Sequence, residues 1–283
     1  MPQAEFLPDN RLHLHHGPID LIIQVWGKDR ARAYDQAIAR FQTILTQLVA
    51  DLDLLRQPVC NQDPSSPVAR NMVAAVAPFS DVFVTPMAAV AGAVADEICR
   101  AMCAGLTLTK AYVNNGGDIA VYLAKGQSLT ATLHDSPDAG RITLTASHPA
   151  RGLATSGWQG RSHSLGIADS VTVLAKTAAK ADVAATLIAN AVNLHDHPAI
   201  SRTPANVLMP DSDLGARLVT TKVGSLTKNE IISALTAGQT LACDMIHNNQ
   251  ITTAALSLHG QTIYAGDALA IRTGDQNARL QTA

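Results

Sequence analysis

The sequence predicts an α+β fold in which a mixed, mainly antiparallel sheet packs against buried, alanine-rich helices. Runs of alternating apolar and polar residues over 118–124, 128–134 and 141–146 follow one another across short turn segments, which is typical of an antiparallel meander. Helical and strand patterns come in blocks and not in strict alternation, which favours α+β over α/β. We predict a single domain over 1–283, with 200–283 as a candidate C-terminal subdomain.

The first hundred residues predict one strand and three helices. Residues 19–26 are an apolar run of strand length, and residues 29–55 carry apolar side chains at helical spacing, which indicates one long amphipathic helix. A loop marked by prolines separates this helix from the next, predicted over 66–79. Residues 87–104 are small and apolar on most sides, so this third helix should be central and buried.

The second half of the chain predicts two more helices and a closing hairpin. Residues 177–192 contain neither glycine nor proline and are rich in alanine, the best helix former. Thr227 and Glu230 stand at the spacing of a capping box, so a helix should begin there. The hairpin is predicted over 250–266 with its turn at His259 and Gly260. The remaining predictions are strands over 170–176 and 217–223 and an irregular, proline-marked segment over 195–216.

Composition and charge exclude several classes of function. The formal net charge is −2 with no basic block, whereas nucleic-acid binding needs clustered lysine and arginine. The longest apolar stretch is interrupted by Asp96, Glu97 and Arg100 and is no membrane span, and the N-terminus lacks a signal-peptide pattern. The four cysteines match no zinc or disulfide spacing. We therefore predict a soluble, cytoplasmic protein without nucleic-acid or membrane partners, with a homo-oligomer left open.

The most unusual segment is VNNGGDI, in which polar residues and two glycines stand directly ahead of a strand. Asn115 and Asp118 flank Gly116 and Gly117 with hydrogen-bonding groups, and the glycines allow positive φ and close approach. A plain turn needs fewer such residues. The segment is either an elaborate turn or a polar platform for a ligand.

Two other segments carry residue types that bind phosphate or metal. Thr155, Ser156 and Gly157 follow a short apolar run and could cradle phosphate oxygens with backbone amides, or form a plain hydroxyl-containing turn. Asp182 and Thr186 are four residues apart on one helix face, which supplies two hard oxygen ligands suited to Mg²⁺. Alternatively Asp182 complements the dipole of its own helix and the Thr186 hydroxyl bonds back to a carbonyl.

Together and in this order, these segments resemble the ApbE-like superfamily, whose best-known members are FAD:protein FMN transferases. The family carries a GGD strand, a later TSG and a strand-helix of the form SVTV…ADxxxT, all present between residues 85 and 192. The first 80 residues, with HHGPIDLII, resemble its shorter, functionally uncharacterised branch. The resemblance implies an ApbE or T-fold-like architecture and the function of binding a flavin or related nucleotide-type ligand, with Mg²⁺-dependent FMN transfer as the family reaction.

The resemblance also implies a role for each matching residue. Asp182 and Thr186 would hold Mg²⁺ against the pyrophosphate of FAD or another flavin nucleotide, and Asp182 could act as base toward the hydroxyl of a protein acceptor. His163 stands where the family has a histidine and would act as acid or base. The residues expected to line the cofactor pocket are Asn115, Gly116, Gly117, Asp118, Thr155, Ser156 and Gly157.

The chain departs from the family pattern in two places. In the family motif AKGxxxD, Gly92 and Asp96 match, but Ala91 stands where the family has a lysine, and alanine cannot supply its charge. The segment between Gly160 and Val171 is short and lacks the Asp-Pro portion of the family loop. Two alternative functions follow: a non-catalytic ligand-binding protein on the same scaffold, or an enzyme that acts on another small substrate through His163 and Asp182.

Overall fold

The computed structural model describes residues 1–58, 63–132, 141–266 and 271–272. The α-helices in these ranges are α1 (Arg30–Ala50), α2 (Leu52–Leu55), α3 (Pro67–Val76), α4 (Val90–Cys103), α5 (Ala178–Ala191), α6 (Ala205–Leu208) and α7 (Lys228–His247). The strands are β1 (Gln3–Phe6), β2 (Leu12–His16), β3 (Ile19–Gly27), β4 (Leu108–Asn115), β5 (Asp118–Leu123), β6 (Ser128–Thr132), β7 (Arg141–Thr145), β8 (Gly152–Ser156), β9 (Ser170–Ala175), β10 (Ile200–Pro204), β11 (Leu218–Val223), β12 (Thr253–Leu258), β13 (Gln261–Gly266) and β14 (Ile271–Arg272).

Nine strands form one sheet in the order β1-β2-β3-β4-β5-β8-β9-β12-β13, and each neighbouring pair in it is antiparallel. The predicted α+β class with a mainly antiparallel sheet is therefore confirmed. The predicted meander is wrong at its first connection: β6 and β7 pair with each other in a separate sheet, because β4 and β8 occupy both edges of β5. β12 and β13 lie in the large sheet, and the proposed division at residue 200 stays a prediction.

The two faces of the large sheet are covered differently. One face packs against α1, α3, α4, α5 and α7 in the main apolar core, where α4 and α5 are buried along most of their length, as their small apolar residues predict. On the other face, Val121 of β5 and Leu153 of β8 pack with Ile142 and Leu144 of β7 in a second apolar cluster. No helix in the described ranges is long and apolar enough to cross a membrane.

Several element boundaries differ from the predicted ones for local reasons. The long helix predicted over 29–55 is interrupted at Asp51, whose carboxylate accepts hydrogen bonds from the Ser65 and Ser66 amides at 3.1 and 3.2 Å. The helix predicted from residue 87 begins at Val90, after a 3₁₀ turn over Pro86–Ala89. The irregular segment over 195–216 contains β10 and α6. Residues 133–134 of the predicted strand lie outside the described residues.

The closing helix and hairpin form as predicted. At the start of α7 the Glu230 amide donates to the Thr227 hydroxyl at 3.4 Å, and the Thr227 amide donates to the Glu230 carboxylate at 2.7 Å. His259 and Gly260 have φ values of 47° and 74° at the turn between β12 and β13, as the tight hairpin turn with two positive φ angles requires.

The capping carboxylate predicts a pH dependence of stability. The Thr227 amide and the His197 ring lower the pKa of Glu230 to about 2. Because this pKa is depressed, its stabilising contribution is present above the ordinary glutamate pKa and is lost as the pH falls toward 2. We expect Glu230→Gln, which keeps a capping amide, to melt at a lower temperature than the parent at pH 7 and at a similar temperature near pH 2. Equal differences at both pH values would contradict this prediction.

Candidate functional site

The VNNGGDI segment forms the tight turn between β4 and β5. Asn115 and Asp118 face each other as the last strand pair, and Gly116 and Gly117 turn the chain with φ values of 65° and 113°. The Gly117 amide donates to the Asn114 side chain at 2.8 Å. Strand alternation places Asn115 and Asp118 on the helix-covered face, where they are 5% and 9% exposed. The segment is thus a turn whose flanking polar groups are buried against the helices.

Asp118 is a buried carboxyl group with little hydrogen bonding. Within the described part of the chain it accepts one hydrogen bond, from the Thr155 amide at 3.3 Å. Burial raises the pKa of Asp118 to about 7, although the Thr155 amide and the charge of Arg161 oppose the shift. A carboxyl group with such a pKa changes its charge near neutral pH.

Asp182, on α5, lies close enough to Asp118 for the two carboxyl groups to repel each other. Its carboxylate accepts from the Gly92 amide, in the first turn of α4, at 3.0 Å. Burial, followed by repulsion from Asp118, raises its pKa well above the ordinary value. The Asn115 side chain donates to the Ala91 carbonyl at 3.1 Å. The turn and α5 are therefore both attached to the start of α4, which brings the two carboxyl groups together.

The two central helices cap each other. While Asp182 of α5 accepts from the first turn of α4, Asp96 of α4 accepts from the amides of Ala178 and Ala179 at the start of α5, each at 2.9 Å. Burial raises the pKa of Asp96. Asp182 therefore complements the N-terminus of a neighbouring helix and not that of its own helix.

The TSG segment contributes to this place mainly through its backbone. Thr155 and Ser156 lie inside β8, where the Thr155 amide contacts Asp118. The Thr155 hydroxyl faces the opposite side of the sheet, 2.9 Å from the Thr172 hydroxyl of the next strand. A Cβ on Gly157 would overlap the carbonyl of Asp169, so this glycine is required for packing. Alternation places the Ser156 side chain on the helix side.

Thr186 and the loop between β8 and β9 lie along α5 beyond Asp182. Thr186 is partly buried one helical turn beyond Asp182. His163 lies in the β8–β9 loop, and its Nε2 atom is buried and has no hydrogen-bond partner among the described residues. Farther along the loop, the Ser164 hydroxyl and the Leu165 amide contact the Asn190 side chain of α5 at 3.2 and 2.9 Å. The loop is thereby held along the face of α5 that carries Thr186.

Sequence reasoning missed Arg161, which precedes His163 in the same loop. A Cβ on Gly116 would overlap the guanidinium of Arg161, so the arginine packs directly on the glycine turn. Its charge also acts on Asp118. The sequence signal was a lone arginine in a polar loop, which by itself indicates no partner.

Within the described ranges, no three histidine, cysteine or acidic side chains are arranged to hold a metal ion. Mg²⁺ does not require such a cage, since it is commonly bound by one or two carboxylates together with water and substrate phosphates. Asp118 and Asp182 repel each other electrostatically at this place, and a divalent cation would relieve that repulsion. The oxygen donors therefore fit Mg²⁺ better than zinc.

Comparison with known proteins agrees with the fold and the order of motifs. A family model described as AbpE bacteria matches residues 4–264. A UPF0280 protein of Methanopyrus kandleri is 34% identical over 177 residues, covering 60% of this chain and 69% of that protein. A UPF0280 protein of Methanothrix thermoacetophila is 36% identical over 135 residues, covering 46% of this chain and 54% of that protein.

A solved structure shares the architecture. The crystal structure of the ApbE protein of Thermotoga maritima aligns with a TM-score of 0.50 and 11% identity, covering 100% of this chain and 99% of that chain. Likeness at this identity concerns the fold alone. The family model, by contrast, matches residues 4–264 and therefore shows the family. The chain belongs to the AbpE bacteria family, in the ApbE-like branch that contains the UPF0280 proteins.

Proposed function

We propose that the protein binds a flavin or related nucleotide-type ligand, together with Mg²⁺, between the β4–β5 turn and the start of α4. The observation that carries this proposal is the meeting of Asp118, which is buried, and Asp182, which is partly buried, from distant parts of the chain. Membership of the ApbE-like family supports a flavin as the ligand.

In this proposal Asp118 and Asp182 hold the metal, and the Thr186 hydroxyl is a further oxygen ligand. Asp182 is positioned by backbone amides at the start of α4, including that of Gly92 at 3.0 Å. When bound, Mg²⁺ would shield the negative charge of a pyrophosphate. The turn is open at Gly117, where a Cβ would meet no atom of the described residues within 4 Å apart from its chain neighbours.

The buried Nε2 atom of His163 favours FMN transfer as a second function of the same site. This nitrogen has no hydrogen-bond partner among the described residues, and a histidine ring nitrogen can take up a proton from an acceptor hydroxyl. In the transfer, an acceptor hydroxyl oxygen forms a bond to the FMN phosphorus of FAD, and the bond from that phosphorus to the AMP oxygen breaks. The hydroxyl proton passes to His163 and AMP leaves.

Titration with FAD and ADP, with and without Mg²⁺, tests the proposed binding. We expect Mg²⁺ to tighten binding of both nucleotides, and we expect Asp118→Asn to reduce the Mg²⁺ effect at least tenfold, which corresponds to about 1.4 kcal/mol. The loss follows because asparagine is uncharged and a weaker ligand for a hard cation. Calorimetry measures both affinities.

Asp35→Asn is the matched control, since Asp35 is an exposed aspartate of α1. A control that lost the Mg²⁺ effect equally, or a parent protein that bound neither nucleotide, would contradict the proposal. The same preparations, given FAD and a threonine-containing peptide, test transfer: the expected product is a peptide heavier by FMN, formed by the parent and not by His163→Ala. Binding without any transfer would identify a non-catalytic binding protein.

A further inference from the structure

Arg161 is the exposed cation that lies against the glycine turn. Its guanidinium occupies the volume next to the Cα atom of Gly116, where a Cβ would overlap it. Arg161 makes no hydrogen bond, and no carboxylate lies within 4.0 Å of it, in the part of the chain that the structure describes. Its donors are therefore available to a ligand.

The charges around the site explain why such a cation is needed. Asp118 and Asp182 are both acidic, and a phosphorylated ligand carries negative charge toward them. The first turn of α4 supplies no charged side chain, because Ala91 and Gly92 have none, and the Gly92 amide already donates to Asp182. Arg161, by contrast, attracts Asp118 electrostatically.

Gly116 allows this placement in two ways. Its φ of 65° is a conformation that other residues rarely adopt, and its missing side chain leaves the space that the guanidinium fills. The planar guanidinium can donate two parallel hydrogen bonds to one phosphate, which an ammonium group cannot do.

We infer that Arg161 is the phosphate-binding residue of this site and contacts the phosphate or pyrophosphate of the nucleotide-type ligand above the β4–β5 turn. The inference rests on the proposed function. It assigns to the β8–β9 loop, which carries Arg161, the role of distinguishing phosphorylated ligands from the corresponding nucleosides. Arg161 thus determines specificity and the position of the ligand, while the carboxylates hold the metal.

The test compares ADP, inorganic pyrophosphate and adenosine, in the presence of Mg²⁺, on the parent protein and three variants. We expect Arg161→Gln to weaken ADP and pyrophosphate binding at least tenfold and to leave adenosine binding unchanged. Arg161→Lys should recover part of the loss, because it restores the charge but not the paired hydrogen bonds. Arg32→Gln, at an exposed arginine of α1, is the matched control and should bind like the parent.

The outcomes separate the inference from the proposed function. If the parent binds ADP with Mg²⁺ and Arg161→Gln binds it equally well, the inference is wrong and the proposed function stands. If the parent binds pyrophosphate through Arg161 but neither FAD nor ADP, the inference stands and the nucleotide ligand is wrong. A parent that binds none of the phosphorylated probes overturns both. Unchanged melting temperatures would show that the variants remain folded.

Discussion

Gly92→Ala is expected to lower the free energy of unfolding by about 3 kcal/mol. Gly92 lies where α4 crosses α5, and a Cβ there would overlap the carbonyl group of Ala178 and lie 2.7 Å from the Ala179 amide nitrogen. These are backbone atoms of a buried helix and cannot rotate away, so the helices must separate. The loss would exceed the roughly 1 kcal/mol that alanine gains over glycine as a helix former. Urea unfolding followed by circular dichroism measures the difference.

Ala101→Ser, at a partly buried position of the same helix, is the control and should cost less than about 1 kcal/mol. The Gly92 variant should also lose affinity for Mg²⁺, because separating the helices moves the amide that positions Asp182. An alanine variant as stable as the parent would show that the helix crossing tolerates a methyl group.

Asp96→Ala is expected to cost about 3 kcal/mol of stability. The Asp96 carboxylate accepts from the Ala178 and Ala179 amides, and both alanines are fully buried. Removing it leaves two buried donors without partners, each at a cost of about 1 to 3 kcal/mol. Thermal and urea unfolding measure the loss.

Thr177→Ala provides the comparison at the same helix end. Its hydroxyl accepts from the Lys180 amide at 3.3 Å in an exposed position, so its loss should cost about 1 kcal/mol. Asp96→Asn keeps one acceptor oxygen, so its loss of stability should lie between those of Thr177→Ala and Asp96→Ala. A smaller cost for Asp96→Ala than for Thr177→Ala would contradict the view that the carboxylate between the helices is the stronger cap.

Local patterns predicted most elements of the fold. The capping box of Thr227 and Glu230 starts α7, and the turn at His259 and Gly260 closes the last hairpin, since both signals depend on residues within a few positions of each other. The pairing of β5 with β8 could not be predicted in this way. Alternation shows which side chains share a face of a strand but does not identify the neighbouring strand, so the nearest strand along the chain was a wrong choice.

The candidate site, too, could be predicted from the sequence only in part. The order of its motifs could be recognised from the sequence, and the four-residue spacing of Asp182 and Thr186 follows from helix geometry. The Thr155 hydroxyl points away from the helix-covered face because β8 continues through Thr155 and Ser156. The sequence could not show this, since the same residues also fit a turn.

The sequence by itself determined the fold class, most of the helices and strands, the final hairpin and the residues from which a site could be built. Tertiary structure decided which of these residues meet. The exchange of caps between α4 and α5 and the contact of Arg161 with Gly116 join segments far apart in the chain. The physical reason is that hydrogen bonds and charges act over a few ångströms in space, and only the packing of the sheet and helices sets those distances.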